Sequence, residues 1–428
     1  MFDLEKKQDV FKECRLLVKV GKRETKNMPS IRELYLQHVA QTSEMPLMLE
    51  IVSAEGMYMY DADGKKYLDL NSGISVSSLG HRHPKVIEAI KNQLDKHLHT
   101  MVFGEHIHSP QVQFAQLLSE QLANGLDSVY YLNSGTEAVE GAMKLARKHT
   151  GRYKIVACSN AYHGSTMGSE SLRSDDEFTR SFMPGIPGVF HVDFNNEDQL
   201  KQIDEETACI ILEPVQAEGG VIPPSDDYLK KVKQRCEEVG ALMVLDEIQT
   251  GFGRTGYLFA HKKYDVVPDI LLIAKSMGGG MPVSAFVAPK EIMMALARKP
   301  MLGHITTFGG HPVCVAAAHA TLKTIVDEKI HLDVIRKEKL IHKKLKHPII
   351  KEIRSSGLMM AVELKKRKFL KHVVNYTIEN GAVIDYFLFN STSFRLAPPL
   401  VISDEQIEEG CNILLKSMDY AESKYRKA

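Results

Sequence analysis

The chain has 428 residues, 44% hydrophobic and 25% charged, the balance of a globular protein with room for two or three domains and a large core. Lysine and arginine total 54, as do aspartate and glutamate, so no net field recruits nucleic acid or a membrane surface. The six cysteines (Cys14, Cys158, Cys209, Cys236, Cys314 and Cys411) lack CxxC spacing, which argues against a zinc site or a disulfide framework. No run of about eighteen apolar residues provides a membrane span, and the first residues have no apolar stretch to act as a signal peptide. A reducing cytoplasm is the expected setting.

In chain order, residues 1 to about 45 are polar and charge-rich, with Lys19-Val20-Gly21-Lys22-Arg23 as one cluster, and read as a peripheral arm. Gly56 to Asp69 alternates aromatic positions around Asp63-Gly64, the pattern of a hairpin. His83-Pro84 opens a helix with Val86, Ala89, Ile90 and Leu94 at helical spacing. Apolar strand-type runs then recur at Ser128–Leu132, Lys154–Cys158, Thr207–Leu212, Ala241–Leu245, Ile270–Ala274 and Ser284–Ala288, with helical segments such as Asp227–Val239 between several of them. This alternation predicts an α/β fold, a mostly parallel sheet with helices on both faces. Beyond about residue 320 come a lysine-rich helix at Lys329–Lys346, strand signals at Ile353–Leu364 and Ala382–Asp385, and a closing helix at Asp404–Tyr425, together a smaller α+β domain. The expected division is 1–80 as arm and hairpin joining the small domain, 81–320 as the large α/β domain, and 321–428 as the C-terminal domain.

Asp246 and Lys275 each close a strongly apolar run, Ala241–Leu245 and Ile270–Ala274. A charge there costs desolvation energy unless something binds it, and ligands of open α/β sheets collect at the carboxyl ends of the strands. A lysine in such a place can form a Schiff base with an aldehyde, and a carboxylate can hold a pyridinium nitrogen protonated, the two requirements of a pyridoxal phosphate site. Leu132-Asn133-Ser134-Gly135-Thr136-Glu137-Ala138 joins a strand to a helix, where free backbone N–H groups make an anion site or merely an N-cap. Lys275 is followed by Gly278, Gly279 and Gly280, which let the backbone wrap a ligand. In Asp246-Glu247-Ile248-Gln249, either acid could be the functional one; strand alternation turns Asp246 inward, Glu247 away and Gln249 back. Tyr162-His163-Gly164 offers a ring for stacking.

In order, the segments Asn133–Ala138, Tyr162–Gly164, Glu213-Pro214-Val215-Gln216-Ala217-Glu218-Gly219-Gly220, Asp246–Gly251, Ala274-Lys275 with its glycines, Thr306-Thr307-Phe308-Gly309-Gly310 and Arg395–Leu400 resemble the class III, fold-type I pyridoxal phosphate aminotransferases of the ornithine, acetylornithine and 4-aminobutyrate group. The similarity spans about Gly56 to Leu400. It implies that Lys275 is the Schiff-base lysine and proton shuttle, and that Asp246 partners the pyridine nitrogen. It further implies that Ser134, Gly135 and Thr136 hold the phosphate with Thr307 from a second subunit, that Tyr162 and His163 lie at the ring, and that Gln249 lies near its phenolic oxygen. Arg395 would grip a carboxylate, with Glu218 as its switchable partner and Glu213 also on the substrate side. A homodimer with a shared site is implied as well.

Three positions depart from the family pattern. Ser165 stands where many members carry a carboxylate-binding arginine, Ile74 near a tyrosine of the ornithine enzymes, and His311 where asparagine often follows the glycine pair. The resulting expectation is a cytoplasmic transaminase that moves an amino group from an ω-amino acid or amine to 2-oxoglutarate or another 2-oxo acid. Other pyridoxal phosphate chemistry on this fold, an aminomutase or decarboxylase, and a non-catalytic binding protein are the alternatives.

Overall fold

The computed structural model describes residues 29–426 except Asn124 and Asp226. Cys14 and the Lys19–Arg23 cluster of the expected arm lie outside the described residues. The described chain falls into two compact units that divide between Glu50 and Ile51. In the first, the helix Ile31–His38 starts at a reciprocal cap: Glu33 N donates to Ser30 Oγ (3.2 Å) and Ser30 N to Glu33 Oε2 (2.7 Å).

The second unit opens with three antiparallel strands, β1 (Ile51–Glu55), β2 (Tyr58–Asp61) and β3 (Lys66–Asp69). The expected turn is present, with Gly64 N donating to Asp61 O and the Asp61 carboxylate accepting from Asp63 N and Lys65 N. The large sheet comprises β4 (Ser128–Leu132), β5 (Lys154–Cys158), β6 (Val189–Val192), β7 (Thr207–Leu212), β8 (Leu242–Asp246), β9 (Ile270–Ile273) and β10 (Ser284–Ala288), in the spatial order β4-β10-β9-β8-β7-β5-β6. Neighbouring strands from β9 to β6 run parallel, and β10 runs antiparallel to both β9 and β4. Every residue of β5, β7, β8, β9 and β10 is buried, which is why these strands read as unbroken apolar runs.

Both faces of the sheet are covered. Phe114, Leu118, Tyr228, Val232, Val315 and Leu322 pack with Val156, Ile210, Met243 and Leu271 on one side. On the other, Ala138, Val139, Ala142, Met143 and Leu145 of the helix Gly135–Thr150 pack with Ile155, Ile211, Val244 and Leu272.

The chain ends in a second antiparallel sheet, formed by β11 (Ile350–Ser356), β12 (Met359–Leu364), β14 (Asp385–Tyr386) and β15 (Ser393–Leu396), while β13 (Ala382–Val383) joins β3 in parallel. One apolar cluster unites Met57, Leu68 and Leu70 with Val334, Ile341, Met360, Phe394 and Leu414. Three elements differ from expectation, the first being the strand Ala382–Asp385, which divides between two sheets as β13 and β14. The segment Lys329–Lys346 is a 3-10 turn (Ile330–Asp333) followed by the helix Val334–Lys344, and Lys329, at φ 54°, separates both from the preceding helix Pro312–Asp327. The segment Ile353–Leu364 is a hairpin that reverses at Gly357, with φ +65°.

Gly357 also meets the chain that leads from the site. Leu358 N donates to Arg254 O at 3.0 Å, and a Cβ at Gly357 would lie 2.5 Å from that oxygen. Gly357→Ala therefore combines a left-handed backbone with a backbone clash and should cost at least about 1–3 kcal/mol. A clearly lower thermal midpoint is expected; an unchanged one would contradict this packing.

Candidate active site

The carboxyl ends of β8 and β9 lie side by side, with Asp246 in register with Leu272, so the Asp246 side chain and the lysine that follows β9 open onto one space. A cavity of about 580 Å³ lies there, within the usual size of a cofactor site. Its walls include Ser134, Gly135, Thr136, Tyr162, His163, Ser165, Glu213, Asp246, Gln249 and Lys275, ten residues drawn from five strand ends.

Asp246 is 4% exposed yet fully engaged. Its Oδ1 accepts from Ile248 N (3.0 Å), and its Oδ2 lies 2.7 Å from His163 Nδ1. A carboxylate can only accept, so Nδ1 carries the hydrogen, and His163 Nε2 is left buried without a partner. The sequence placed His163 at the cofactor but offered no sign of this pairing, which forms because β5 and β8 are both neighbours of β7. Glu247 points away, as alternation predicts. Its carboxylate accepts from Ala260 N, His261 N and the His261 ring (2.8 Å), so it anchors the next loop and leaves the cavity to Asp246.

Lys275 begins a 3-10 turn, with φ +44°. Its Nζ donates to Gln249 Oε1 at 3.1 Å. Desolvation pushes its pKa below the usual lysine value; Glu218, Asp246 and Glu213 oppose that shift and Arg395 adds to it. A lowered pKa supplies the neutral amine that a nucleophilic lysine needs.

The first turn of the helix Gly135–Thr150 faces the same cavity. Ser134 caps it reciprocally with Glu137, which leaves the N–H groups of Gly135 and Thr136 to face an anion. The Thr136 hydroxyl is engaged elsewhere, with Thr166 Oγ1 (2.7 Å) and Ser169 Oγ (2.9 Å). Gly164 fits over this turn only because it lacks a side chain: a Cβ there would stand 2.4 Å from Thr136 Cβ. The Tyr162 hydroxyl lies 3.1 Å from Ser165 Oγ, so at Ser165 the cavity wall is a hydroxyl.

Glu213 is buried in the cavity wall, its Oε1 accepting from Ala217 N (3.2 Å) and its Oε2 without a partner. Burial, and then the neighbouring Asp246 carboxylate, raise its pKa well above the usual glutamate range. Glu218 and Arg395 are both buried and joined at 2.6 Å (Oε1 to Nη2), with Glu218 Oε2 also accepting from Leu388 N. Arg395 Nε and Nη1 are buried and unpartnered. This pair stands outside the cavity wall proper but close enough to Lys275 to shift its titration. Thr307 is exposed and does not line the cavity of its own chain; His99 Nε2 donates to its carbonyl at 2.8 Å. Ile74 is 37% exposed with φ +62°, and His311 caps the helix Pro312–Asp327 while stacking on His99 at 5.7 Å.

A buried carboxylate, a partly buried amine of lowered pKa, an aromatic face and a helix N-terminus on one cavity fit a planar ring that bears a basic nitrogen, an aldehyde and a phosphate. The orphaned Oε2 of Glu213 and Nε2 of His163 add polar atoms that a polar ligand can satisfy.

Comparison with known proteins gives the same answer. A sequence model of the family described as "Aminotransferase class-III" matches residues 39–418. The chain is 40% identical over 393 residues to an acetylornithine aminotransferase of Methanocaldococcus jannaschii, covering 88% of this chain and 94% of that one. It is 38% identical over 382 residues to a LysW-aminoadipate semialdehyde/glutamate semialdehyde transaminase of Sulfolobus acidocaldarius, covering 88% and 96%. Among solved structures, the ornithine aminotransferase of Toxoplasma gondii superposes with a TM-score of 0.85 at 32% identity, covering 92% of this chain and 94% of that one.

The raised pKa of Glu213 has a measurable consequence. With its pKa raised in the folded state, the folded chain binds a proton that the unfolded chain releases above about pH 4.3. The contribution of Glu213 to stability therefore falls as pH rises through that window. Without the cofactor, Glu213→Gln should melt higher than the parent at pH 8, and the gain should shrink towards pH 4. A gain independent of pH would show that Glu213 is ionised.

Proposed function

This chain belongs to the class III aminotransferases, and we propose that it moves an amino group from an ω-amino acid or amine to 2-oxoglutarate or another 2-oxo acid. It is a pyridoxal phosphate enzyme that works on an amino donor and an oxo acid acceptor. The observation that carries the proposal is the shared cavity of Lys275, Asp246 and the N-terminus of the helix Gly135–Thr150. When bound, the cofactor supplies an aldehyde that takes up the amino group and a protonated ring that withdraws electrons from the reacting carbon.

The chain's own residues do the rest. Lys275 would hold the cofactor's aldehyde, and its Nζ would be the group that carries a proton to and from the reacting carbons. Burial lowers the pKa of that amine, and Gln249 holds it by a single hydrogen bond from which it can depart. Asp246 holds the ring nitrogen's proton by its charge, and His163 fixes the carboxylate's direction. Gly135 and Thr136 N–H groups bind the phosphate, with the hydroxyl of Ser134 capping their turn and Thr307 of a second subunit completing the set. Tyr162 stacks on the ring. A homodimer is part of this proposal, as is a cytoplasmic setting; no described helix is long and apolar enough to cross a membrane.

Arg395 binds the carboxylate of the oxo acid, its planar fork matched to two oxygens. When the donor presents an ω-amine, Glu218 neutralises Arg395, which otherwise would face the substrate as an unpaired buried cation. Glu213, in its protonated form, offers a neutral donor to the same space. Alternating between two substrates is what the Glu218–Arg395 pair serves, and a transaminase needs it where a mutase or decarboxylase does not. Donors of the acetylornithine type are the first choice given the relatives, although Ser165 offers a hydroxyl and no cation for a second carboxylate.

Asp246→Asn should slow the donor half-reaction by about 10²–10³-fold, the usual loss for one electrostatic partner of a developing charge. Stopped-flow absorbance of the lysine-bound cofactor reads this, and an unchanged rate would remove Asp246 from its role. A panel of acetylornithine, ornithine, 4-aminobutyrate, β-alanine, lysine and putrescine should bleach that absorbance with at least one donor, and 2-oxoglutarate or pyruvate should restore it. Bleaching without recovery by any oxo acid would favour the mutase or decarboxylase alternative.

A further inference from the structure

Arg254 heads the fully buried side chains by volume, with 0% exposure, and lies eight residues beyond Asp246 in the same glycine-rich loop. Among the described residues, no carboxylate pairs with it directly. Its Nη1 donates to the carbonyls of Leu358 (3.0 Å) and Pro398, its Nη2 to the hydroxyls of Ser72 (3.3 Å) and Ser78 (3.0 Å), and its Nε has no partner. Burial pushes its pKa down to about 9, against the distant charge of Asp69. Holding an unpaired guanidinium in the interior is costly, so its fixed contacts call for an explanation.

Those contacts lead to the lysine. Between the two serines bound by Nη2, Ser72, Gly73, Ile74 and Ser75 all have positive φ (48°, 61°, 62° and 64°), a run that only surrounding bonds can maintain. The Ser78 hydroxyl lies 2.6 Å from the hydroxyl of Ser276, and Ser276 Oγ also donates to Ser75 O at 2.7 Å. Ser276 follows Lys275, whose own φ of +44° is rare for a residue with a side chain. Ser276, Ser78 and Arg254 are each 2% exposed or less, so water cannot replace a lost bond without reorganisation.

We propose that Arg254, acting through Ser78 and Ser276, is a positioning residue that locks the left-handed backbone from which Lys275 reaches the cavity. It rests on the assignment of Lys275 as the lysine that binds the cofactor. A lysine that must leave the cofactor and return to two different carbons in turn depends on a fixed base for its side chain, and misplacement of a reacting group by an ångström is enough to cost orders of magnitude. The guanidinium serves this better than an apolar core would, because one rigid fork reaches the carbonyls of Leu358 and Pro398, the first residue of the strained run and Ser78 beyond it together.

The test uses the cofactor-loaded enzyme with Ser276→Ala, Ser78→Ala and Arg254→Lys, each checked for folding by its thermal melt. Ser276→Ala should lower kcat roughly 10- to 100-fold with the KM of the donor unchanged. Ser78→Ala should show a weaker version of the same split. In the cofactor-free protein, the pH dependence of acetic anhydride labelling at Lys275, read by mass spectrometry, should move towards that of an ordinary lysine in all three variants that fold. If Arg254→Lys fails to fold, the two serine variants decide the matter. Wild-type kcat and an unmoved labelling profile in both serine variants would overturn the proposal while leaving Lys275 in its role. Full activity of Lys275→Ala would instead overturn the assignment on which it rests.

Discussion

Two ionisable groups of opposite sign, held out of bulk water at the ends of neighbouring parallel strands, govern this molecule. β8 delivers Asp246 and β9 leads into Lys275, and between them lies a space that neither side chain fills. Desolvating such charges costs several kcal/mol each unless partners compensate. Asp246 is compensated by His163 and a backbone N–H, and Lys275 by a lowered pKa and one bond to Gln249. Sheet, loops and helix termini are arranged so that a ligand can complete both sets of contacts.

That constraint explains the surrounding polarity. A second carboxylate that is buried and beside Asp246 ionises less readily, and the pKa of Glu213 is raised accordingly. Farther out, Glu218 and Arg395 are joined and offset each other's charge. The site thus brings together two buried carboxyl groups, one desolvated amine and, beside them, one buried ion pair. Transamination asks for this inventory because its two substrates differ in charge while its reacting atoms do not.

Much of this was legible in the chain. Strands β5 and β7 to β10 are legible because both their faces are buried, which removes polar residues and leaves Asp246 and Lys275 conspicuous at the ends, whereas the partly exposed β6 (Val189–Val192) is not among the expected runs. Alternation correctly turned Glu247 away, towards Ala260 and His261. Less visible were contacts between segments remote in sequence: His163 with Asp246 is separated by 83 residues, and Arg254 with Ser72 by 182. No local period records such pairs. β15, which carries Arg395, is a short strand without a marked pattern, so that arginine was found through family resemblance alone. The 3-10 turn before Val334 and the reversal at Gly357 are not legible because neither changes the local composition. The left-handed run at Ser72–Ser75 escaped notice for the same reason, since three of its four members are residues that seldom adopt it.

The central claim is that one lysine binds the cofactor's aldehyde in the cavity that Asp246 shares. Loading the protein with pyridoxal phosphate, reducing it with borohydride and locating the modified peptide by mass spectrometry tests this most directly. Stoichiometric labelling confined to Lys275 is the expected result. A label on any other lysine, or a fully folded and loaded protein that takes no label at all, would contradict it.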